Sequence, residues 1–138
     1  MQERIRILVV DDESIVLEVT RLALEMTGRY DVSAHTDPCR ALEAFKADPA
    51  GFALLITDFK MPRMNGAELA AQIRRINPLV PIVCVSAYVK PEATQDNLFN
   101  VCLSKPFDVR DLQELVGRLA DPCAGREIPT AVRTRAAA

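Results

Sequence analysis

Ile7-Leu8-Val9-Val10-Asp11-Asp12 is an unbroken apolar run that ends on two carboxylates. A strand covered on both faces reads as such a run, and strands of that kind belong to parallel sheets with helices on either side. The construction recurs downstream. Ala53-Leu54-Leu55-Ile56-Thr57 leads to Asp58, Ile82 to Ser86 is apolar and mostly β-branched until its closing hydroxyl, and Val101 to Ser104 leads to Lys105-Pro106. Amphipathic stretches separate the runs, an alternation that predicts an α/β fold with a doubly wound parallel sheet. In open sheets of this type ligands bind outside the carboxyl ends of the strands, where strand order reverses. Right-handed crossovers put those ends along one rim, so Asp11, Asp12, Asp58, Ser86 and Lys105 are expected together there. Three gathered carboxylates repel one another unless a cation lies among them. The Lys105 ammonium and a hard cation with oxygen ligands, Mg²⁺ above all, meet that need. The pattern is that of a phosphoryl-handling site.

Working outward, a helix is expected from about Ser14, with Ile15, Val19, Leu22 and Met26 among its apolar positions and Gly28 as its stop. Asp31 to His35 is a moderately polar second strand, suited to a sheet edge. Asp37-Pro38 reads as an N-cap followed by proline at the first helical position, opening a helix to about Lys46. The segment from Asp58 to Gly66 is a loop punctuated by Pro62 and Asn65-Gly66, and a helix follows from about Ala67 to Ile76. A short helical or irregular piece, roughly Glu92 to Leu98, precedes the fifth strand. Asp108 then caps a last helix in which Leu112, Leu115, Val116 and Leu119 recur at helical spacing. From Asp121 the pattern breaks, which divides the chain into one domain over 1–121 and a disordered tail or truncated linker over 122–138.

The chain has 138 residues, enough for one domain with a real core. Its 17 basic and 19 acidic residues are nearly balanced, and no aromatic residues interleave with basic runs. That composition argues against direct nucleic-acid binding. No signal-peptide core follows Met1-Gln2-Glu3-Arg4, and no apolar stretch reaches bilayer length, so a cytoplasmic protein is expected. Cys39, Cys84, Cys102 and Cys123 form no Cys-x-x-Cys pair, and His35 is the single histidine, so a zinc or redox role is not expected. Cys84 and Cys102 fall in strands, where cysteine behaves as a small buried hydrophobe.

Phosphoryl transfer to a carboxylate needs a nucleophile, a metal beside it, and cationic or hydroxyl donors for the equatorial oxygens. Asp58, alone after a central strand, is the natural nucleophile. Asp12 and Asp11 would hold the metal, and Ser86 and Lys105 would donate to the phosphoryl oxygens. Taken singly these residues have plainer uses. Asp12 or Glu13 would serve as an N-cap for the helix at Ser14, and Lys105 as a solvated loop charge. Their joint placement at four strand ends is what carries the chemistry.

With Leu8-Val9-Val10-Asp11-Asp12-Glu13, Asp58-x-x-Met61-Pro62-x-Met64-Asn65-Gly66, Ser86-Ala87 and Lys105-Pro106-Phe107, the chain resembles the receiver domain of two-component response regulators over about Arg4 to Ala120. The resemblance implies a flavodoxin-like five-stranded sheet in the order 2-1-3-4-5. It also implies a signalling switch rather than a turnover enzyme, with a phosphohistidine on a sensor histidine kinase or histidine phosphotransfer protein as donor. By position Asp58 matches the phosphoacceptor, Asp11 and Asp12 the metal-binding pair, Lys105 the active-site lysine and Ser86 the switch hydroxyl. The main-chain carbonyl of Lys60 matches the remaining protein ligand to Mg²⁺. Ala87 is small, as the family usually requires for access to the site.

Three features depart from the family pattern. Cys102 stands three residues before Lys105, where Tyr or Phe is common, and a thiol does not report the switch as a ring does; Phe99 would substitute only with a backbone shift. The stretch from Ser86 to Lys105 is short, so the fourth helix is expected to be abbreviated. Lys60 and Tyr88 occupy two variable positions beside the site, and a long cation and a phenol there predict slow hydrolysis of the acyl phosphate. Two rivals remain. One is a phosphorylation-independent docking module of the same fold. The other is a small Mg²⁺-dependent phosphatase of the haloacid dehalogenase type, disfavoured because Asp11-Asp12-Glu13 lacks that family's Asp-x-Asp spacing. The helix from Ser14 and the loop at Phe107 contact the phosphodonor in the family, so exposed apolar residues there would be partner contacts.

Overall fold

The structure, a computed structural model, describes residues 4–87, 98–120 and a strand at 131–133. In chain order the elements are β1 (Ile5–Val10), α1 (Ser14–Glu25), β2 (Tyr30–His35), α2 (Pro38–Ala47), β3 (Phe52–Asp58), α3 (Gly66–Ile76), β4 (Ile82–Ser86), β5 (Val101–Ser104), α4 (Val109–Ala120) and β6 (Ala131–Arg133). The strands form one sheet in the order β2-β1-β3-β4-β5-β6, and every pairing is parallel. The first five follow the expected order 2-1-3-4-5. The sixth strand comes from the segment read as a tail or linker; three residues are too short to leave a periodic signal. The expected abbreviated helix between β4 and β5 lies outside the described residues, as does Tyr88.

Alternation along each strand builds two cores. Ile7, Val9, Leu54, Ile56, Val83, Val85, Val101 and Leu103 face α1 and α4, where Leu17, Leu24, Leu112, Leu115 and Val116 meet them. Leu8, Val10, Leu55, Ile82, Cys84 and Cys102 face the other way, against Leu42 and Phe45 of α2, Leu69 and Ile73 of α3, and Phe99. With both faces covered, the middle of each central strand has to be apolar at every position. Alternation of apolar with polar residues is therefore absent from 7–10 in β1, 53–56 in β3 and 82–85 in β4.

Local signals set the element ends. Gly28 adopts φ +76 just past α1, a conformation that costs glycine nothing. The Asp37 carboxylate accepts from the Cys39 N–H at 2.9 Å to cap α2, with Pro38 next. Asn65 and Glu68 form a reciprocal capping box on α3, and Asp108 accepts from the Arg110 N–H at the start of α4. On α1 the structure decides between two apolar faces that the sequence left open. Leu17, Thr20, Ala23 and Leu24 are buried, whereas Ile15, Val19, Leu22 and Met26 form an exposed apolar stripe. The helix is apolar on two faces, so periodicity alone did not say which one the sheet would take.

Candidate functional site

Parallel register brings the strand ends to one rim: Val10 lies opposite Thr57, Asp58 opposite Val85, and Ser86 opposite Ser104. Asp11 follows β1 and is 4 % exposed, Asp58 closes β3 and is 6 % exposed, and Asp12 projects from the loop. Carboxylate oxygens of the three lie within 4.8 Å of one another. The Lys105 ammonium, carried past the end of β5, donates to Asp11 Oδ2 at 2.9 Å and to Asp58 Oδ2 at 3.2 Å. Its main-chain N–H donates to the Ser86 carbonyl at 2.9 Å, which locks the start of its loop to β4.

Each of the two buried carboxylates is also held by backbone. Asp11 Oδ1 accepts from the Glu13 N–H at 2.9 Å, and Asp58 Oδ1 from the Phe59 N–H at 2.7 Å. The plain N-cap role considered for Asp12 or Glu13 does not occur: Glu13 is the N-cap residue of α1 and its side chain makes no capping bond. Burial lifts the Asp58 carboxyl out of the usual carboxylate range, and the Asp11 charge lifts it further. The Lys105 ammonium and the Phe59 N–H limit the rise to about 6. Burial acts to lower Lys105, but its bonds and proximity to Asp11 and Asp58 outweigh that and hold it above its ordinary value. Three acidic oxygen donors and one ammonium form a set whose residual negative charge fits a hard divalent cation. Lys60 is exposed two residues beyond Asp58, and Ser86 is buried at the end of β4.

Sequence reasoning missed several supporting residues. A Cβ on Gly66 would lie 2.3 Å from the Asp58 carbonyl oxygen, so this position admits no side chain beside the acceptor; the Asn65-Gly66 pair had signalled only a turn. The Glu13 carboxylate reaches to 3.7 Å from Lys105. Phe99, fully buried, packs edge-on against Phe59 at 6.3 Å, beneath the acceptor loop. Cys102 and Cys84 are buried register partners with free thiols, and the Cys84 thiol is pushed up by its hydrogen bond with Cys102 and by burial. Met61 and, partly buried, Met64 pack against the core. Beside Asp12 an open groove of about 590 Å³ runs past Thr36, Asp37, Arg40 and Arg63. Arg63 holds φ +73 and pairs with Asp37 at 3.0 Å, which ties the two loops together.

A model of the response regulator receiver domain matches residues 7–117. The chain belongs to the receiver domain family of two-component response regulators. This receiver is 34% identical over 111 residues to the response regulator receiver protein CpdR of Brucella abortus, covering 78% of this chain and 89% of that one. It is 32% identical over 122 residues to the sensor protein EvgS of Escherichia coli, covering 86% of this chain but only 10% of that protein. Among solved structures, a CheY-like receiver domain protein from Methanospirillum hungatei superposes with TM-score 0.77 at 30% identity, covering 86% of this chain and 95% of that one. Among the described residues no helix is long and apolar enough to cross a membrane.

Proposed function

We propose that this receiver is a phosphoacceptor switch, in which Asp58 takes a phosphoryl group from a phosphohistidine on a sensor histidine kinase or histidine phosphotransfer protein. The observation that carries this is the Lys105 ammonium bridging Asp58 and Asp11 at the mouth of a three-carboxylate cluster. Asp11, Asp12, Asp58 and the Lys60 carbonyl would hold Mg²⁺, which would supply positive charge against the oxygens of the transferring group. An Asp58 oxygen attacks phosphorus, the P–N bond to the imidazole breaks, and the imidazole leaves carrying the electron pair of that bond. The Phe59 N–H keeps the acceptor carboxylate oriented during attack. Once one Asp58 oxygen is bonded to phosphorus, Lys105 is free to pair with the new phosphoryl oxygens, and the Ser86 hydroxyl serves as a further donor. The altered rim then changes affinity for an output partner.

The exposed stripe of Ile15, Val19, Leu22 and Met26 supports docking of donor helices, since it starts at Ile15, close in sequence to Asp12, and these side chains have no core to fill. The test is intact mass after incubation with acetyl phosphate and Mg²⁺, followed by a chase in chelator. One phosphoryl adduct that requires both Mg²⁺ and Asp58 is expected, with none in Asp58→Ala. Slow decay that quickens in Lys60→Ala would support shielding of the acyl phosphate by that side chain. No adduct in the presence of saturating Mg²⁺ would favour the docking module instead.

A further inference from the structure

In a five-stranded sheet β5 would be an edge, with every second N–H and C=O lacking a ladder partner. Such edges invite pairing with other chains unless they are covered. The edge here is uncharged, Val101-Cys102-Leu103-Ser104, and offers none of the lysines or prolines that usually blunt one. It is taken by β6, in the register Val101 to Ala131, Cys102 to Val132 and Leu103 to Arg133. The two strands are parallel, which demands a crossover between them. The crossover is already present as α4, packed on the sheet through Leu112, Leu115 and Val116. The chain from Ala120 to Ala131 spans at most about 40 Å, ample to return from the helix layer to the sheet. β5-α4-β6 thus repeats the strand-helix-strand unit from which the rest of the sheet is built.

We propose that the outer edge of β5 is a strand-docking surface whose resident occupant is the chain's own Ala131–Arg133 segment, paired within one molecule. The surface takes an extended, proline-free segment and recognises it chiefly through the main chain. Occupied, it is closed to strands from other molecules. β5 is also the strand that delivers Lys105, so the occupant braces the element that carries that side chain to the acceptor. This proposal does not depend on phosphoryl transfer.

Amide hydrogen exchange on the full chain tests it. N–H groups along a strand point alternately to its two sides, so only alternate β5 amides face outward. These are expected to exchange at least about tenfold more slowly than the outward amides of β2, the open edge at the other side of the sheet. Equal rates would overturn the proposal. Val132→Pro and Arg133→Pro give a second readout, because one of them deletes an N–H that faces β5 and the other an N–H that faces away. Proline is tolerated at the latter kind of edge position. Acceleration is expected in one variant, confined to outward β5 amides, with β1 and β3 unchanged. No acceleration in either would count against β6 as occupant. Protection that falls on dilution would place a second copy's strand on the edge and overturn pairing within one molecule.

Discussion

Asp58 is held in a setting that opposes its own ionisation. Its buried carboxyl faces Asp11, and Lys105 offsets only part of the cost. The folded value of about 6 lies above the ordinary 3.8, so the folded chain binds this proton more readily than the unfolded one. Stability contributed by this group is therefore lost as pH rises through that interval. Asp58→Asn, measured without divalent cations, is expected to gain about 1–3 kcal/mol at neutral pH. The gain should shrink as pH falls below about 6, where the wild-type group is protonated. Urea titrations at two pH values check this, and a gain that grows on acidification would contradict it. Gly66→Ala belongs to the same scale. Its methyl group would meet the Asp58 carbonyl at 2.3 Å, against backbone that has little room to yield. A loss of about 1–3 kcal/mol is expected from the same titrations, with displaced Asp58 and Phe59 amide resonances. The sequence singled out Asp58 because a lone carboxylate after a buried strand is conspicuous. It did not disclose Gly66's steric role, since a turn glycine and a close-approach glycine look alike in one dimension.

Elements are tied together by a few side chains whose importance is invisible locally. Arg74, in the last turn of α3, donates to the carbonyls of Pro78, Val80 and Leu98 and to the Asn100 side chain at 2.7 Å. The same Asn100 oxygen accepts from the Ile82 N–H, so one guanidinium organises the entries to both β4 and β5. Half-buried, with its positive charge partly desolvated, Arg74 has its guanidinium drawn below the ordinary arginine value. Arg74→Met should cost about 2–3 kcal/mol, because several carbonyls lose a charged donor, and should loosen the starts of β4 and β5 in hydrogen exchange. On α1 the two apolar faces separate cleanly. Leu17→Ala is expected to cost about 2–4 kcal/mol, whereas Leu22→Ser should stay within about 0.5 kcal/mol. Similar losses at both positions would mean that the helix packs through a different face. Boundaries of β4 and β5 and the starts of α2 and α4 were legible, because apolar runs and caps mark them. The packing face of α1 was not, because only the sheet's position distinguishes its two stripes.

At the scale of the whole molecule, folding concentrates negative charge at one rim, and a divalent cation that binds there should stabilise the fold. The expected increment is RT ln(1 + [L]/Kd), about 2.7 kcal/mol at a hundredfold excess over Kd. Thermal unfolding with Mg²⁺ against chelator should show the shift at pH 7.5 and lose about half of it near pH 5, where a proton on Asp58 competes with the ion and weakens its binding about tenfold. Equal shifts at both pH values would place the ion elsewhere. The chain by itself determined the fold class, the strand order expected from its family resemblance, and the identity of Asp11, Asp12, Asp58, Ser86 and Lys105 as candidates. It did so because strands covered on both faces must be apolar throughout, and charges that interrupt them are placed there against that demand. Only the tertiary structure decided that Lys105 bridges Asp11 and Asp58, that Gly66 must lack a side chain, which stripe of α1 stays exposed, and that Ala131–Arg133 joins β5. Each of these depends on distances between segments far apart in the chain, and local pattern carries no information about such distances.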